Sequence, residues 1–402
     1  MSESFDLIVV GAGLVGCAFA LDVAQRSNLK VALVERSSRL GVDAREPSIS
    51  SGNQRVVALG MKSVDILRRV GAFKQLTPIQ AHAYTSMRVW DENSIGELSF
   101  DALDVGKSLL GYMVDALACT SVLQETADCF PNATRSSGGL TCFFDTNISA
   151  IELGAAGCHL YGGDQVHLKA PLVVAADGSR SWVRQQAKIQ SSRLNYEQLG
   201  IVAKIKSESS HQNCAWQRFL KTGPLAILPL HDNYCSIVWS ADSSHAKRLM
   251  DLPDDEFCAL LGQTVDWRLG NIIEVSPRQS FPLLSQQAET YTAPGVALIG
   301  DAAHSIHPLA GQGANLGFKD AECLANLIVA AKPNEHARLS LLDQYQKRRG
   351  PDNRQTDMLM TLLNGGFKNS NRAVSALRGW GMNWFDQNSF LKKVLAEQAM
   401  GI

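Results

Sequence analysis

Continuous apolar runs and glycine-rich turns alternate with helical patterns in three separated parts of the chain. Residues 7–10, 172–176 and 296–299 are short and almost wholly apolar, as strands buried on both faces of a parallel sheet are. Helical periodicity follows the first of these runs, and it resumes from Gly313 after the third. This alternation predicts an α/β fold class in which one domain is assembled from distant segments.

The stretch between residues 198 and 280 has a different pattern. Apolar and polar residues alternate there, as at Ile201, Ala203 and Ile205, and this is typical of antiparallel strands with one face in a core. A second module with an antiparallel sheet is therefore predicted. Further strands are predicted at 84–90, 225–228 and 234–239, and a hairpin region at 141–144, 158–161 and 166–169.

Gly11, Gly13 and Gly16 follow the first apolar run in the order strand, turn, helix. This G-x-G-x-x-G spacing gives a tight turn, an approach to phosphates free of side chains, and close packing of the helix on the strand. The phosphates then lie at the helix N-terminus, where free N–H groups and the helix dipole favour an anion. Glu35 ends the next strand, where its carboxylate can accept the hydroxyls of an adenosine ribose. With the adjacent Arg36, these residues form a predicted dinucleotide site.

Charge and cysteine content argue against other classes of partner. The 402 residues carry a formal net charge of −1, which gives no electrostatic basis for binding nucleic acid. The nine cysteines never come closer than ten residues in sequence, so there is no C-x-x-C metal or dithiol motif. No apolar run reaches the roughly 20 residues of a spanning helix, and the N-terminal MSESFD lacks the basic segment of an export signal. A cytoplasmic location is therefore expected.

Two further motifs accompany the dinucleotide motif: residues 177–184, DGSRSWVR, and residues 300–317, GDAAHSIHPLAGQGANLG. Together the three motifs resemble the single-component FAD-dependent aromatic hydroxylases, and the 300–317 string is most similar to the ubiquinone-biosynthesis hydroxylases. The resemblance implies a Rossmann-like FAD-binding domain of the glutathione-reductase type, as in p-hydroxybenzoate hydroxylase. It also implies an antiparallel-sheet substrate domain and C-terminal helices.

The implied domains follow from where these motifs and patterns fall in the sequence. The FAD-binding domain is discontinuous and comprises residues 1–80, 105–190 and 285–340. The substrate-binding sheet domain comprises residues 81–104 and 191–284, and the C-terminal helical region comprises residues 341–402.

By the same resemblance, FAD is bound non-covalently through residues at the motif positions. Asp301 corresponds to the family's ligand of the ribityl chain, and Asp177 to a residue that supports both FAD and the reductant. Arg55 corresponds to an arginine near the phosphates and the flavin. The segment that faces the flavin pyrimidine ring is Gly313, Ala314 and Asn315.

Structural roles stay open for several motif residues. Asp177 and Asp301 are also placed to cap a turn or a helix, and His304 and His307 are interpreted first as structural. Arg184 is either a surface residue or part of the motif. The chain departs from the family pattern at positions where relatives often have an aspartate or polar flavin-side residues: Asn53, Ala116 and Thr120.

The activity that the resemblance implies is hydroxylation of a polyprenylphenol ring in ubiquinone biosynthesis. NADH or NADPH would reduce FAD transiently, and a C4a-hydroperoxyflavin formed with O2 would transfer oxygen to the ring. No second G-x-G-x-x-G motif provides a separate domain for the reductant. The alternatives are another FAD-dependent hydroxylase, an isoprenoid reductase, or a flavoprotein scaffold with low turnover. No catalytic residue and no metal site is predicted.

The remaining expectations concern the substrate and its delivery. The apolar face of segments 223–230 and 234–240 is either a hydrophobic pocket or ordinary sheet core, and Arg218 is the one nearby candidate for clamping an acidic substrate. The tail, residues 371–402, is dense in Trp, Phe and Leu, which fits either packing on the enzyme or contact with a membrane surface. Expected partners are the polyprenylphenol, other ubiquinone-biosynthesis proteins, the inner face of the membrane and a second copy of the chain.

Overall fold

A computed structural model gives the structure of the protein and describes residues 3–41, 55–92, 96–133, 138–154, 157–163, 166–306, 312–331 and 335–368. Its helices are α1 (Leu14–Arg26), α2 (Met61–Arg69), α3 (Ala116–Asp128), α4 (Trp182–Gln186), α5 (Ser243–Asp251), α6 (Asp254–Thr264), α7 (Gln312–Ala330) and α8 (Glu335–Lys368). The first twelve strands are β1 (Glu3–Ser4), β2 (Leu7–Val10), β3 (Lys30–Val34), β4 (Val56–Gly60), β5 (Ala81–Tyr84), β6 (Ser86–Asp91), β7 (Glu97–Asp101), β8 (Gly111–Asp115), β9 (Gly139–Phe143), β10 (Ile148–Glu152), β11 (Cys158–Gly162) and β12 (Val166–Ala170). The others are β13 (Val173–Ala175), β14 (Ser191–Ser207), β15 (Cys214–Leu220), β16 (Gly223–Pro229), β17 (Tyr234–Asp242), β18 (Ile272–Val275), β19 (Gln279–Ala288), β20 (Thr292–Ala293), β21 (Val296–Leu298) and β22 (His304–Ser305).

A six-stranded sheet of order β20-β21-β13-β2-β3-β9 carries the three predicted apolar runs side by side. All neighbours in it are parallel except β20 and β21. The helices α1 and α3 contact this sheet, and residues of β11 and β12 join the same buried apolar cluster, so its central strands read as continuous apolar runs. The parallel strands point their carboxyl ends, with the motif loops that follow β2, β13 and β21, to one edge of the sheet.

The predicted hairpin region divides between two sheets. β11 and β12 pair as an antiparallel hairpin in a four-stranded sheet of order β1-β12-β11-β10. The prediction was wrong for residues 141–144, because β9 lies parallel to β3 in the six-stranded sheet. A parallel neighbour is distant in sequence, so the local pattern of β9 does not distinguish it from a hairpin strand.

The largest sheet is mostly antiparallel and has the order β22-β19-β14-β17-β16-β15-β6-β7, with β18 beside β14. One of its faces packs against α5 and α6 in a buried apolar cluster. Its opposite face packs against a three-stranded sheet of order β4-β8-β5. β22 brings the chain into the large sheet directly after the turn at 300–302, so the two sheet systems are joined beside a candidate motif.

α8 contacts elements of both sheet systems along its length. The Tyr345 hydroxyl donates to the carbonyl of Leu298 in β21 at 2.8 Å. Further along the helix, Ser285 of β19 donates to Asp357 at 2.8 Å. Pro351 lies inside α8 and removes one helical N–H, and the helix continues past it. The tail at 371–402 lies outside the described residues. None of the helices in the described part of the chain is long and apolar enough to cross a bilayer.

Candidate FAD site

The three glycines of the first motif have three different surroundings. Gly11 has φ +105°, and a Cβ added there would lie 2.4 Å from the carbonyl oxygen of Ala176. A Cβ at Gly16 would lie 2.0 Å from the carbonyl oxygen of Gly11. Around Gly13, by contrast, a Cβ would meet no atom of the described residues within 4 Å. Gly11 and Gly16 are therefore required by the packing of the loop, whereas Gly13 faces open space in front of the α1 N-terminus, where a phosphate group fits.

Glu35 and Gln124 hold this loop from opposite sides. One Glu35 oxygen accepts the Ala12 N–H at 2.8 Å, and the other accepts the Ser37 N–H at 3.0 Å. The buried Gln124 amide donates to the Ala12 carbonyl at 2.9 Å and accepts from the Leu40 N–H at 2.8 Å. Each Glu35 oxygen keeps a lone pair for a ribose hydroxyl. Gln124 was missed from the sequence, although a polar residue on the buried side of α3 is a recognisable signal.

Asp177 caps α4, as one of its two interpretations predicted. Its Oδ2 accepts the N–H groups of Trp182 and Val183 at 2.8 and 3.1 Å. Its Oδ1 is buried and has no partner of good hydrogen-bond geometry in the described chain. Burial raises the pKa of Asp177, and hydrogen bonds from Ser181 and the α4 amides partly offset this rise. Gly178 follows with φ +84° and open space at its Cβ position, so a ligand donor can reach this acceptor.

Asp301 lies in a single 3-10 turn, Gly300–Ala302, immediately after β21. The side chain is half-buried, and none of the hydrogen bonds found among the described residues uses its carboxylate. Arg184, which is 2% exposed, donates to the carbonyl of Ala302 at 2.7 Å and to that of Ser179 at 3.0 Å. Arg184 is therefore a buried residue that joins the second and third motifs, and the surface interpretation was wrong.

Asn315 uses its whole side chain to fix the start of α7. Its Oδ1 accepts from the Gly60 N–H at 2.9 Å and from the Ser63 hydroxyl at 2.7 Å. Its Nδ2 donates to the Ala58 carbonyl at 2.8 Å. At Gly313, two residues earlier, no atom in the described part of the chain lies within 4 Å of the Cβ position. The α7 N-terminus thus presents backbone rather than the Asn315 side chain to the open space.

The remaining candidate residues lie partly at the surface and partly in the interior. Arg36 and Arg55 are exposed, and the Arg55 carbonyl accepts the N–H of Ala116 at 3.0 Å. The Thr120 hydroxyl donates to the Ala116 carbonyl at 2.7 Å and so stays within α3. His304 is buried and bonded to Asp320, which confirms a structural role. Asn53 and His307 lie outside the described residues.

The predicted substrate face of the large sheet is instead a core. Leu225, Ile227 and Trp239 are buried in the apolar cluster that packs on α5 and α6. Of the two interpretations of this face, pocket or core, the structure therefore supports the core. Arg218 is not an acid clamp facing a pocket, because its guanidinium donates to the Thr264 carbonyl and to Asp266, the latter at 2.8 Å. None of the nine cysteines, all of which lie in the described ranges, forms a disulfide bond there.

These features fit FAD at the edge where β2, β13 and β21 end. Among the described residues, none occupies the space where a side chain would lie at Gly13, Gly178 or Gly313. Two helix N-termini, a buried acceptor oxygen on Asp177 and the unused carboxylate of Asp301 accompany them. Phosphates, ribityl hydroxyls and an electron-rich ring are the groups that such N–H donors and carboxylates bind.

Comparisons with known proteins agree with this geometry. Residues 4–358 match the family model described as FAD binding domain. In solved structures, p-nitrophenol 4-monooxygenase from Pseudomonas putida aligns with a TM-score of 0.74 at 18% identity, covering 99% of this chain and 98% of that one. A probable FAD-dependent monooxygenase from Pseudomonas aeruginosa aligns with a TM-score of 0.74 at 20% identity, covering 94% and 100%. The predicted fold class is confirmed.

Relatives of similar length identify the group within this family to which the chain belongs. The chain is 31% identical to 3-demethoxyubiquinol 3-hydroxylase of Escherichia coli over 100% of both chains. It is 32% identical to the ubiquinone hydroxylase of Rhodospirillum rubrum over 98% of this chain and 89% of the relative. It is 30% identical to the mitochondrial ubiquinone biosynthesis monooxygenase of Homo sapiens over 97% and 91%. The chain therefore belongs to the FAD-dependent aromatic-ring monooxygenases, within their group of ubiquinone-biosynthesis hydroxylases.

Proposed function

We propose that this protein hydroxylates the aromatic ring of a polyprenylated phenol in ubiquinone biosynthesis, with NADH or NADPH as the reductant. The observation that carries the proposal is its match, over nearly the whole chain, to three hydroxylases named for ubiquinone or its biosynthesis. When bound, FAD supplies two-electron reduction and activation of O2. The contribution of the chain is to bind, orient and shield the reacting groups.

Each part of the chain has a definite task in this proposal. The α1 N-terminus at Gly13 holds the pyrophosphate, and Glu35 and Asp301 accept ribose and ribityl hydroxyls. The α7 N-terminus directs N–H groups toward the pyrimidine side of the flavin, where negative charge collects on reduction. A phenol hydroxyl already activates its ring, so no protein nucleophile is needed. The absence of a second dinucleotide motif favours NADH or NADPH binding transiently across the FAD domain.

The surroundings of β4 favour an apolar substrate. Leu228 and Val238 of the large sheet pack with Met113 and Tyr84 of the three-stranded sheet in one apolar cluster. β4 belongs to the same small sheet and ends at Gly60, whose N–H donates to Asn315 at the start of α7. β4 thus links this buried apolar cluster to the start of α7, and the guanidinium of Arg218 is bonded to Asp266. This arrangement suits a hydrophobic ring better than a free carboxylate.

Substrate-stimulated oxidation of NADH or NADPH tests the proposal. The FAD-loaded enzyme is given either a polyprenylated phenol in phospholipid vesicles or p-hydroxybenzoate in solution. The vesicles also provide the membrane surface that we propose the enzyme contacts. We expect the prenylated phenol to stimulate oxidation and mass spectrometry to find a product with one added oxygen. Addition of two hydrogens to an isoprenoid double bond would instead identify a reductase. Bound FAD without stimulated oxidation would identify a scaffold.

A charge at the start of α7 tests where that helix lies relative to the flavin. Ala314→Glu is expected to lower the reduction potential of bound FAD, because a carboxylate repels the negative charge that develops on reduction. Ala314→Gln is the matched control, since it has the same size without the charge. Redox titration compares the two variants. Equal potentials in FAD-loaded Glu and Gln variants would show that the α7 N-terminus does not face the pyrimidine ring.

A further inference from the structure

Asp320 is a buried charge at the centre of a hydrogen-bond network on α7. It is fully buried, and its Oδ2 accepts from the Gly300 N–H at 3.1 Å and from His304 Nε2 at 2.5 Å. Its Oδ1 accepts from Arg349 Nε at 2.8 Å and from Asn353 Nδ2 at 3.0 Å. The network therefore joins α7, the turn at 300–302 and α8 at a single carboxylate.

Three of the four partners of Asp320, namely Gly300, Arg349 and Asn353, are donors that need an accepting oxygen. An amide in place of the carboxylate would direct a donor at one or two of these three groups, whichever way it is turned. Burial alone would raise the pKa of Asp320, but the charges and hydrogen bonds of His304 and Arg349 hold it below its usual range. His304 is the fourth donor when its Nε2 carries a proton. The network is thus complete only with an ionised Asp320.

The network acts on the candidate ribityl site through Gly300. That residue has φ +59° and directly precedes Asp301 in the short turn, and its N–H is bonded to Asp320. From the other end of the turn, the Ala302 carbonyl accepts from Arg184. The turn is therefore fixed on both sides of Asp301, whose own carboxylate stays unused among the described residues.

α8 extends this connection to the large sheet. Arg349 also donates to Asp352 and to Asn353, and the Asn353 side chain is fully buried. Two turns later, Asp357 accepts from Ser285 of β19. The helix that supports Asp320 is therefore anchored on the large antiparallel sheet.

We propose that Asp320 is a positioning residue which, with Arg349 on α8, fixes the Gly300–Ala302 turn so that the Asp301 carboxylate meets the ribityl chain of FAD. The proposal deepens the proposed function but rests only on its flavin site, and it is independent of which phenol is the substrate. The measurements that test it concern FAD binding alone, so a wrong substrate assignment would leave it intact.

The test compares Asp320→Asn with Asp343→Asn. The control makes the same chemical change at an exposed ion pair on α8, where Asp343 lies 2.7 Å from Lys347. Apoprotein of each variant is titrated with FAD, and the melting temperature is measured with and without FAD. Visible circular dichroism of the bound flavin reports its orientation. Asp320→Asn is expected to weaken FAD binding at least tenfold and to change the flavin spectrum, while Asp343→Asn changes neither.

Arg349→Lys is the milder variant that decides the outcome if Asp320→Asn does not fold. It keeps a positive charge beside Asp320 but loses the geometry of the guanidinium, so an intermediate loss of FAD affinity and a smaller spectral change are expected. Arg349→Met removes the charge as well and should show the larger loss. If the folded variants melt at lower temperatures but bind FAD with unchanged affinity and spectrum, the network is only structural and the proposal is wrong.

Discussion

Asp301→Ala is expected to yield a folded protein that purifies without flavin. The half-buried carboxylate has no hydrogen-bond partner among the described residues, so its removal deletes no contact that the described fold uses. A hydrogen bond to a charged group contributes about 1.5–3 kcal/mol, and its loss corresponds to a roughly 10- to 100-fold weaker affinity for FAD. Fluorescence titration of the apoprotein measures the loss, and the melting temperature without FAD should stay unchanged.

Asp301→Asn is the matched control for this variant. The amide keeps one accepting oxygen at nearly the same volume, so FAD binding should fall between wild type and Asp301→Ala. The two variants should share one melting temperature without FAD. A wild-type affinity for FAD in Asp301→Ala would show that the ribityl chain does not lie at this turn.

Gly13→Val should abolish FAD binding without unfolding the chain. A Cβ at this position meets no atom of the ranges that the structure describes within 4 Å, so the branched side chain projects into the space assigned to the pyrophosphate. The expected signs are a colourless preparation and no rise in melting temperature when FAD is added. Gly13→Ala, which adds a single carbon, should lose less affinity.

Gly16→Ala is the contrasting substitution in the same loop. Its Cβ would lie 2.0 Å from the carbonyl oxygen of Gly11, so the variant is expected to melt at a lower temperature even without FAD. Gly13→Val should melt like the wild-type apoprotein. If the Gly13 variant binds FAD normally, the phosphates lie elsewhere, and if it fails to fold, the open space at Gly13 is not a ligand cradle.

Local sequence patterns predicted the fold correctly for strands that are buried on both faces. The runs at β2, β13 and β21 were predicted because continuous apolar segments next to Gly or Asp-Gly turns have few alternatives in an α/β protein. β9 was misplaced because its parallel partner β3 lies far away in sequence. The apolar face at Leu225 and Ile227 was left open between core and pocket, since the same alternation describes both. Only the position of α5 and α6 decides between them.

Site residues that belong to a sequence motif were predicted. Residues whose partners are distant in sequence were missed or left ambiguous. Asp320 lies four residues after Leu316 and four before Leu324, so a charge interrupts the apolar stripe of α7. That interruption was the available signal, but its partner Arg349 lies on another helix. Arg184 was ambiguous for the same reason, because only the fold shows that it reaches the carbonyl of Ala302.

The order of strands in the six-stranded sheet also governs how the protein is made. β13 lies between β2, from the start of the chain, and β21, which is synthesised more than a hundred residues later. Until β21 emerges, the apolar Val173–Ala175 edge has no neighbour on that side, and an unpaired edge of this kind invites aggregation. Until β21 emerges, the candidate FAD site also lacks the turn at 300–302 and the N-terminus of α7. FAD uptake during biosynthesis is therefore a late event that reports a nearly finished chain, and C-terminal truncations before Val296 should accumulate as insoluble, flavin-free protein.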